Sequence, residues 1–474
     1  MLDSLWTPTV AGKISLPHRL AMAPLTRSRA TPDGVPTELN AEYYAQRASH
    51  ALIITEGTQP SADGQGYVVT PGIYTDEHIA GWRKVTDAVH QAGGRIVIQL
   101  MHVGRISHPD NTPHHRQAVA PSAIKPAGQM FTGSGMQEMP QPRALSTEEI
   151  AATVDDFRRA AAAAITAGAD GVEIHGANGY LIHQFLFPST NQRTDRYGGS
   201  LDNRIRFAVE VATAVADEIG ADRTGIRLSP GNPFQLGDLT EHDTHELYPH
   251  LVRALAPLDL AYLHLAHGGD EELLGTLREL WPNTLILNRA GTDIATRAKD
   301  IDNGIADVIT VGSMALANPD LVERLHPSTA AAQPATPTTP PTPPDPSPRR
   351  PRQSPPSGAP AYARQGIDAE RPHAYRARVL GCDPGGNVVD HGEHPVGVRA
   401  SGRVRAAGDL VEQGGRRAAV LRTVTVLHRE RPAGSAPSGP GRAPPHPQPR
   451  TARATGRRPP SRPDRPWSRK GRGR

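Results

Sequence analysis

The amino-acid sequence predicts an α/β protein: a (β/α)8 barrel, or TIM barrel, followed by a disordered tail rich in proline and arginine. Two observations lead to this prediction. Between residues 19 and 325, short apolar runs alternate eight times with segments of helical periodicity, which is the pattern of repeated βα units. After residue 326 the composition changes abruptly, since 27 of the 47 prolines lie in the last 148 residues. We therefore assign residues 1–326 to the barrel and residues 327–474 to the tail.

Each predicted strand is apolar at most of its positions, as expected of parallel strands that are buried on both faces. Eight units in about 325 residues fit a closed barrel, which takes ~250 residues plus insertions. The predicted strands are 19–25, 51–55, 95–100, 170–175, 224–229, 260–265, 284–288 and 307–312.

The predicted helices between the strands carry start signals. Thr37 and Ser146 are hydroxyl residues followed by acidic residues within three positions, and Ser146 with Glu149 forms a capping-box pattern. Residues 101–145, after the third strand, are rich in Pro, Gly and Ser and far exceed the usual βα loop of about 2–6 residues. We predict that this long loop lies over the active-site mouth, at the carboxyl ends of the strands.

The two parts of the chain differ in charge. The net charge of +4 divides into −12 for residues 1–326 and +16 for residues 327–474, so the pI near 9.3 does not describe a basic enzyme. The single cysteine, Cys382, excludes an internal disulfide framework, a cysteine-ligated iron–sulfur cluster and a cysteine-rich zinc site. The chain opens without a signal-peptide pattern and has no apolar run near the ~20 residues of a membrane helix. We expect a cytoplasmic protein with no metal site and no membrane partner.

The tail admits two interpretations. Its segment 327–360 is too poor in apolar residues to offset the entropy of ordering, which predicts disorder. The 25 arginines against one lysine, Lys470, would suit a tail that binds nucleic acid. The same bias towards Arg, Pro, Ala and Gly also arises when GC-rich DNA is translated in an unintended reading frame, and we favour this frameshift interpretation. We therefore expect no nucleic-acid partner except through the tail.

The residues at the carboxyl ends of the strands carry the chemistry of such a barrel. They are mostly neutral hydrogen-bonding side chains with one fixed cation: Thr26, Gln99, His175, Asn178, Tyr180 and Arg227. The carboxylate pair of a glycosidase and the convergent His and Asp ligands of a metal hydrolase are missing from this set. The side chains that are present suit the binding of a polar heterocycle and an anionic oxygen. Taken singly, Gln99 and Thr26 could equally be polar core residues, and Arg227 could be an ion-pair partner.

Several sequence blocks resemble the flavin-dependent Old Yellow Enzyme family of ene reductases. They are APLTRSRA (23–30), ITEGTQPSADGQGY (54–67), GWRKVTDAVHQAGGRIVIQLMHVGRISHP (81–109), HGANGYLIHQFLFPSTNQRTDRYGGSLDNR (175–204) and ALANPDLVERL (315–325). The resemblance covers residues 1–325. It implies a TIM barrel that binds FMN, takes hydride from NADPH or NADH, and reduces small electron-poor alkenes such as α,β-unsaturated carbonyl, nitro or maleimide compounds.

The resemblance also implies roles for individual residues. Gln99 and Arg227 would contact the pyrimidine end of FMN, and Thr26 would lie at its O4/N5 edge, with Pro24 and Gly57 also at the cofactor. His175 and Asn178 would bind the activating oxygen of the substrate. Hydrogen bonds to that oxygen draw electron density from the conjugated double bond as negative charge develops. Tyr180 would give a proton to the α-carbon, because a phenol keeps its proton at neutral pH.

The FMN phosphate is expected at the loops after the seventh and eighth strands, near Gly291, Gly312 and Ser313. Ser313 stands where the family often has arginine; Arg289 could supply the missing charge or could equally be an ion-pair residue. Met101 replaces a usual tryptophan, which predicts a softer and roomier pocket wall. The family's aromatic C-terminal rim segment is replaced by the tail, so the alternative is a barrel that binds flavin but is catalytically impaired. The oligomeric state and the choice between NADPH and NADH are left open.

Overall fold

Eight parallel strands close into a barrel in chain order. The computed structural model describes residues 2–232, 236–326, 375–382 and 388–396. The barrel strands are β1 (Leu20–Met22), β2 (Ile53–Ile54), β3 (Ile96–Leu100), β4 (Gly171–His175), β5 (Thr224–Leu228), β6 (Tyr262–Ala266), β7 (Thr284–Asn288) and β8 (Val308–Val311). Each lies at one of the predicted strands, which confirms the (β/α)8 barrel.

The helices pack around the outside of the barrel. Helix α3 begins at the predicted capping box: the Ser146 Oγ accepts from the Glu149 N–H (3.2 Å), and the Glu149 carboxylate accepts from the Ser146 N–H (2.8 Å). The helices of the described barrel residues are α1 (Glu38–Ala45), α2 (Asp76–Gln91), α3 (Thr147–Thr166), α4 (Leu181–Leu186), α5 (Leu201–Ile219), α6 (Thr244–Leu255), α7 (Glu271–Leu280), α8 (Ile294–Asp302), α9 (Ser313–Ala317) and α10 (Leu321–Leu325). Within the part of the chain that the structure describes, no helix is long and apolar enough to cross a membrane.

The amino-terminal end of the barrel is covered by a short antiparallel hairpin, Thr9–Ala11 with Ile14–Leu16. Its apolar side chains are buried together with residues of the barrel strands, among them Val97, Ile286 and Val308. The hairpin is tied to the barrel because the Thr284 Oγ1 donates to the Val10 carbonyl (2.7 Å). This end of the barrel is therefore closed by the chain itself.

The long loop after β3 is folded over the opposite end. It contains a parallel pair of two-residue strands, Val119–Ala120 with Arg143–Ala144, and a hairpin, Gln129–Thr132 with Gly135–Glu138. Met130 of this hairpin is buried in a small apolar cluster that also contains Met101 and Tyr180. The loop thus packs against residues at the carboxyl ends of the strands.

Beyond the barrel, the structure describes two antiparallel strands, Tyr375–Cys382 and Val388–Val396. They belong to a unit of residues 343–474, separate from a unit of residues 1–342. The sequence pattern did not predict this pair. The rest of the tail for which disorder was predicted lies outside the described residues, and the predicted boundary at residue 326 stays a prediction.

Candidate active site

His175 is the last residue of β4 and is buried at the carboxyl end of the barrel. Its Nδ1 accepts a hydrogen bond from the Ala177 N–H (3.2 Å). Burial, together with the positive charge of Arg227, holds the pKa of His175 well below its usual range. A neutral imidazole that accepts at Nδ1 carries its proton on Nε2. His175 is therefore a neutral hydrogen-bond donor at neutral pH.

The chain turns sharply after β4 through two residues with positive φ. Asn178 has φ +57° and Gly179 has φ +84°. A Cβ on Gly179 would come within 2.7 Å of the Leu236 carbonyl oxygen, so a glycine is required there. The Asn178 N–H donates to the Ser229 Oγ (2.9 Å), which fixes the turn against the loop after β5. This backbone geometry brings Tyr180 back to His175.

Tyr180 is 7% exposed, and its ring meets the His175 ring edge-on with centroids 5.0 Å apart. Its hydroxyl shares a hydrogen bond with the Tyr67 hydroxyl, with 3.0 Å between the oxygens. Burial, and after it the neighbouring Tyr67, raises the pKa of Tyr180 well above its usual value. Tyr180 therefore keeps its proton throughout the neutral range.

Helix α4 holds this arrangement in place. The Gln184 Nε2 donates to the carbonyls of Gly179 (2.8 Å) and Val103 (3.0 Å), and the Leu181 N–H donates to the His102 carbonyl (3.0 Å). These bonds connect the turn after β4 to the long loop after β3. The two loops that line the cavity are thereby fixed relative to each other.

Gln99 and Arg227 lie on the strands next to β4. The Gln99 Nε2 donates to the buried carboxylate of Glu173 (2.7 Å), which leaves the amide oxygen for another donor. Arg227 is opposite His175 in the strand register and is 8% exposed. Its Nε is buried and finds no hydrogen-bond partner among the described residues. Both side chains have polar atoms available for a further group.

The loops after β1 and β2 form the adjoining wall. Thr26 is exposed and Pro24 is half-buried. The Glu56 carboxylate accepts from the N–H groups of Arg27 (2.8 Å) and Ser28 (3.1 Å), which fixes the loop that carries Thr26. A Cβ on Gly57 would come within 2.3 Å of the Met101 Sδ. Met101 therefore packs directly on the Gly57 backbone.

The predicted phosphate residues lie directly after β7 and β8. Gly291 is exposed with φ +79°, and Gly312 precedes α9, whose first residue is the exposed Ser313. The Arg289 guanidinium is engaged by Glu271 (2.7 Å to Oε1) and Asp300 (2.7 Å to Oδ2), which is the ion-pair role that the sequence left open.

Sequence reasoning missed another cation near these loops. Arg297 is 5% exposed, and it donates to the carbonyls of Thr292 and Thr310. It therefore connects the loop after β7 to strand β8.

The polar atoms left available fit a flavin. Gln99 offers an acceptor, Arg227 a permanent positive charge, and His175 a neutral donor, all at the carboxyl end of the barrel. An imide ring that gathers negative charge on reduction matches this set. No group of three His, Cys, Asp or Glu side chains that could hold a metal occurs among the described residues.

A model of the NADH:flavin oxidoreductase / NADH oxidase family matches residues 4–331. A probable flavin mononucleotide-dependent alkene reductase of Leishmania infantum is 42% identical over 336 residues, which cover 68% of this chain and 90% of that protein. The chain belongs to the Old Yellow Enzyme family.

Solved structures of Old Yellow Enzymes and their relatives agree with this assignment. The Old Yellow Enzyme homologue of Zymomonas mobilis is 41% identical with a TM-score of 0.65, and the match covers 68% of this chain and 92% of that one. Morphinone reductase in complex with tetrahydroNAD is 44% identical with a TM-score of 0.65, covering 69% of this chain and 93% of that one. As a member of the Old Yellow Enzyme family, the chain is an FMN-dependent ene reductase that uses a nicotinamide reductant.

Three residues at this Old Yellow Enzyme site received no role from the sequence: Tyr67, Glu173 and His264. Tyr67 lies within a matched block, but its contact with Tyr180 spans 113 residues of chain. Glu173 did carry a signal, because it is a charged residue between two apolar residues of a buried strand. His264 on β6 has the same character.

Proposed function

We propose that this ene reductase reduces the C=C bond of α,β-unsaturated carbonyl, nitro or maleimide compounds. In this proposal His175 and Asn178 bind the activating oxygen, and Tyr180 gives the proton. The observation that carries the proposal is the edge-on contact of His175 and Tyr180, two buried proton donors whose ring centroids lie 5.0 Å apart. One substrate can reach both donors at once.

Bound FMN would supply the hydride chemistry between NADPH or NADH and the β-carbon of the alkene. Gln99, Arg227 and Thr26 would hold its ring system, with Pro24 and Gly57 beside them. Gly291, Gly312 and Ser313 would lie at its phosphate. Arg297 supports this phosphate site, because it places a cation between the loop after β7 and strand β8.

His175 would act as a donor to developing charge. Its imidazole is neutral because burial and Arg227 disfavour a second proton. A neutral donor in a buried site strengthens its hydrogen bond as negative charge grows on the substrate oxygen. Asn178 would add a second donor from the same turn.

Tyr180 would supply the proton to the α-carbon. A phenol with a raised pKa remains fully protonated, and the carbanion that develops on the substrate is a stronger base than phenolate. The Tyr67 hydroxyl, 3.0 Å away, can donate to the Tyr180 oxygen, which leaves the Tyr180 proton for the substrate.

Tyr180→Phe tests this division of roles. Reduction of the bound flavin by NADPH should stay nearly unchanged, whereas its reoxidation by cyclohexenone should slow by about 10²–10⁴-fold, the usual contribution of a positioned acid. A nitroalkene should be affected much less, because its nitronate product is a stable anion. Anaerobic stopped-flow absorbance of the flavin measures both half-reactions.

The matched control is Tyr74→Phe, since Tyr74 is partly exposed and lies outside this cluster. If Tyr180→Phe reduces cyclohexenone at the parent rate, Tyr180 is not the acid. A second candidate function follows from the replaced C-terminal rim segment, namely a flavin-binding but impaired barrel. It predicts a yellow parent protein that NADPH bleaches but that none of the three alkene classes recolours.

A further inference from the structure

A buried charge that the proposed function does not use lies inside the barrel. Glu173, in the middle of β4, is 0% exposed. One carboxylate oxygen accepts from the Gln99 Nε2 (2.7 Å), and the other is 2.9 Å from the His264 Nδ1. Gln99 lies opposite Glu173 in the strand register, whereas His264 reaches it from β6. The carboxylate therefore links three strands of the barrel.

The contacts of Glu173 define its charge. Burial opposes ionisation, yet the pKa of Glu173 lies below its ordinary value because His264 and Arg227 favour the carboxylate, as does the Gln99 hydrogen bond. Burial lowers the pKa of His264. A carboxylate can only accept, so the neutral His264 has its proton on Nδ1. Its Nε2 is then an acceptor for the Thr310 hydroxyl (3.3 Å).

This bond also decides which way the Gln99 amide faces. The two ends of an amide are a donor and an acceptor, and the carboxylate can pair only with the donor. The Gln99 oxygen is therefore turned away from Glu173 and left free. Without the carboxylate, the amide could rotate by half a turn and present its nitrogen instead.

Arg227 lies in the same region of the barrel interior. Its strand neighbours in the register are His175 on one side and His264, the partner of Glu173, on the other. The guanidinium is buried, so its charge is weakly screened. Among the neighbouring groups, the carboxylate of Glu173 offsets the positive charge of Arg227 most strongly.

We propose that Glu173 is a positioning residue for the flavin site: it turns the Gln99 oxygen towards the flavin and offsets Arg227, which lowers the reduction potential of the bound FMN. This inference rests on the proposed flavin contacts of Gln99 and Arg227. A positive charge next to a flavin favours the electron-rich reduced form, and a nearby carboxylate disfavours it. The pair together sets an intermediate potential.

The test is Glu173→Gln, which keeps the shape of the side chain and one acceptor oxygen but removes the charge and the second acceptor. The midpoint potential of bound FMN, measured against a reference dye, should rise. We expect the affinity for reduced FMN to increase about tenfold relative to that for oxidised FMN, which is about 30 mV for a two-electron couple. A relative change of less than about twofold overturns the proposal.

Thr310→Val is the matched control. It removes the hydroxyl that contacts His264 and Asn288, at 3.3 and 2.9 Å, without changing a charge. If the buried hydrogen bonds of Glu173, His264 and Thr310 have only a structural role, both variants should lower the melting temperature and leave the midpoint potential unchanged. Our proposal predicts a shifted potential for Glu173→Gln only.

Two further variants cover the remaining outcomes. If Glu173→Gln does not fold, the double variant Glu173→Gln with Arg227→Gln should recover folding, because the uncompensated buried cation is then gone. If the double variant also fails to fold, Glu173 does not act by offsetting the charge of Arg227. Arg227→Gln alone tests whether Arg227 contacts the flavin. If this variant leaves the FMN affinity and the midpoint potential unchanged, the proposed flavin contact is wrong. If Arg227→Gln has a large effect and Glu173→Gln has none, only the present inference is rejected.

Discussion

At the scale of single residues, burial shifts the protonation of His175 and Tyr180 in opposite directions. The pKa of the imidazole is lowered and the pKa of the phenol is raised, so that both groups are uncharged proton donors at neutral pH. The Ala177 N–H selects the tautomer of His175 through a single 3.2 Å bond. Both groups are therefore neutral, and neither adds a second positive charge next to Arg227.

His175→Ala should slow both enone and nitroalkene reduction about a hundredfold, since one strong hydrogen bond to a developing anion contributes on the order of 3 kcal/mol. Binding of phenols, which resemble an enolate oxygen, should weaken as well. Steady-state rates and phenol titrations of the flavin band measure these effects. His175→Asn keeps a donor and should recover part of the loss. Parent rates in His175→Ala would show that the histidine does not bind the activating oxygen.

The sequence located these residues because strand ends can be found from apolar runs, and because the block around His175 is specific. It could not locate their partners. The Tyr67 to Tyr180 contact and the Glu173 to His264 bond depend on how distant segments meet in the barrel. Arg289 shows the same difficulty, since its partners, Glu271 and Asp300, lie on two different helices.

At the scale of elements, local signals were sufficient wherever a helix or strand is defined by its own residues. The capping box of α3 and all eight barrel strands follow from the sequence pattern. The small strands of the long loop do not, because two-residue pairs such as Val119–Ala120 with Arg143–Ala144 are formed by residues over 20 positions apart. Residues 101–145 could be predicted to cover the mouth, but not how they fold.

Ser146→Ala tests the capping box of α3. The loss of the side-chain acceptor for the Glu149 N–H should lower the free energy of unfolding by about 1 kcal/mol. Urea denaturation followed by circular dichroism measures this change. Thr147→Ala, one position further on, leaves the cap intact and serves as the control. Equal stability of Ser146→Ala and the parent would mean that the cap does not stabilise the folded state.

At the scale of the whole molecule, charge divides the chain into an acidic barrel and a basic tail. Residues 1–326 carry a net charge of −12 and residues 327–474 carry +16. The tail should therefore attract a polyanion, and the barrel should repel it. This asymmetry makes the tail, and not the barrel, the place where any nucleic-acid binding would originate.

The full chain should bind random duplex DNA at low salt, and a chain that ends at residue 326 should not. For 6–10 phosphate contacts, affinity should fall by about 10³–10⁵ between 50 and 200 mM salt. Fluorescence anisotropy of labelled DNA measures both proteins, and retained FMN colour shows that the shorter chain is folded. DNA binding that survives the deletion would exclude the tail as its cause.

The hairpin of residues 9–16 bears on how reactants reach the enzyme's site. Its apolar side chains fill the amino-terminal end of the barrel, opposite the end that carries His175 and Tyr180. We expect nicotinamide and alkene to bind and leave at the end of the barrel that carries His175 and Tyr180, one after the other. An excess of either reactant should therefore inhibit turnover with the other.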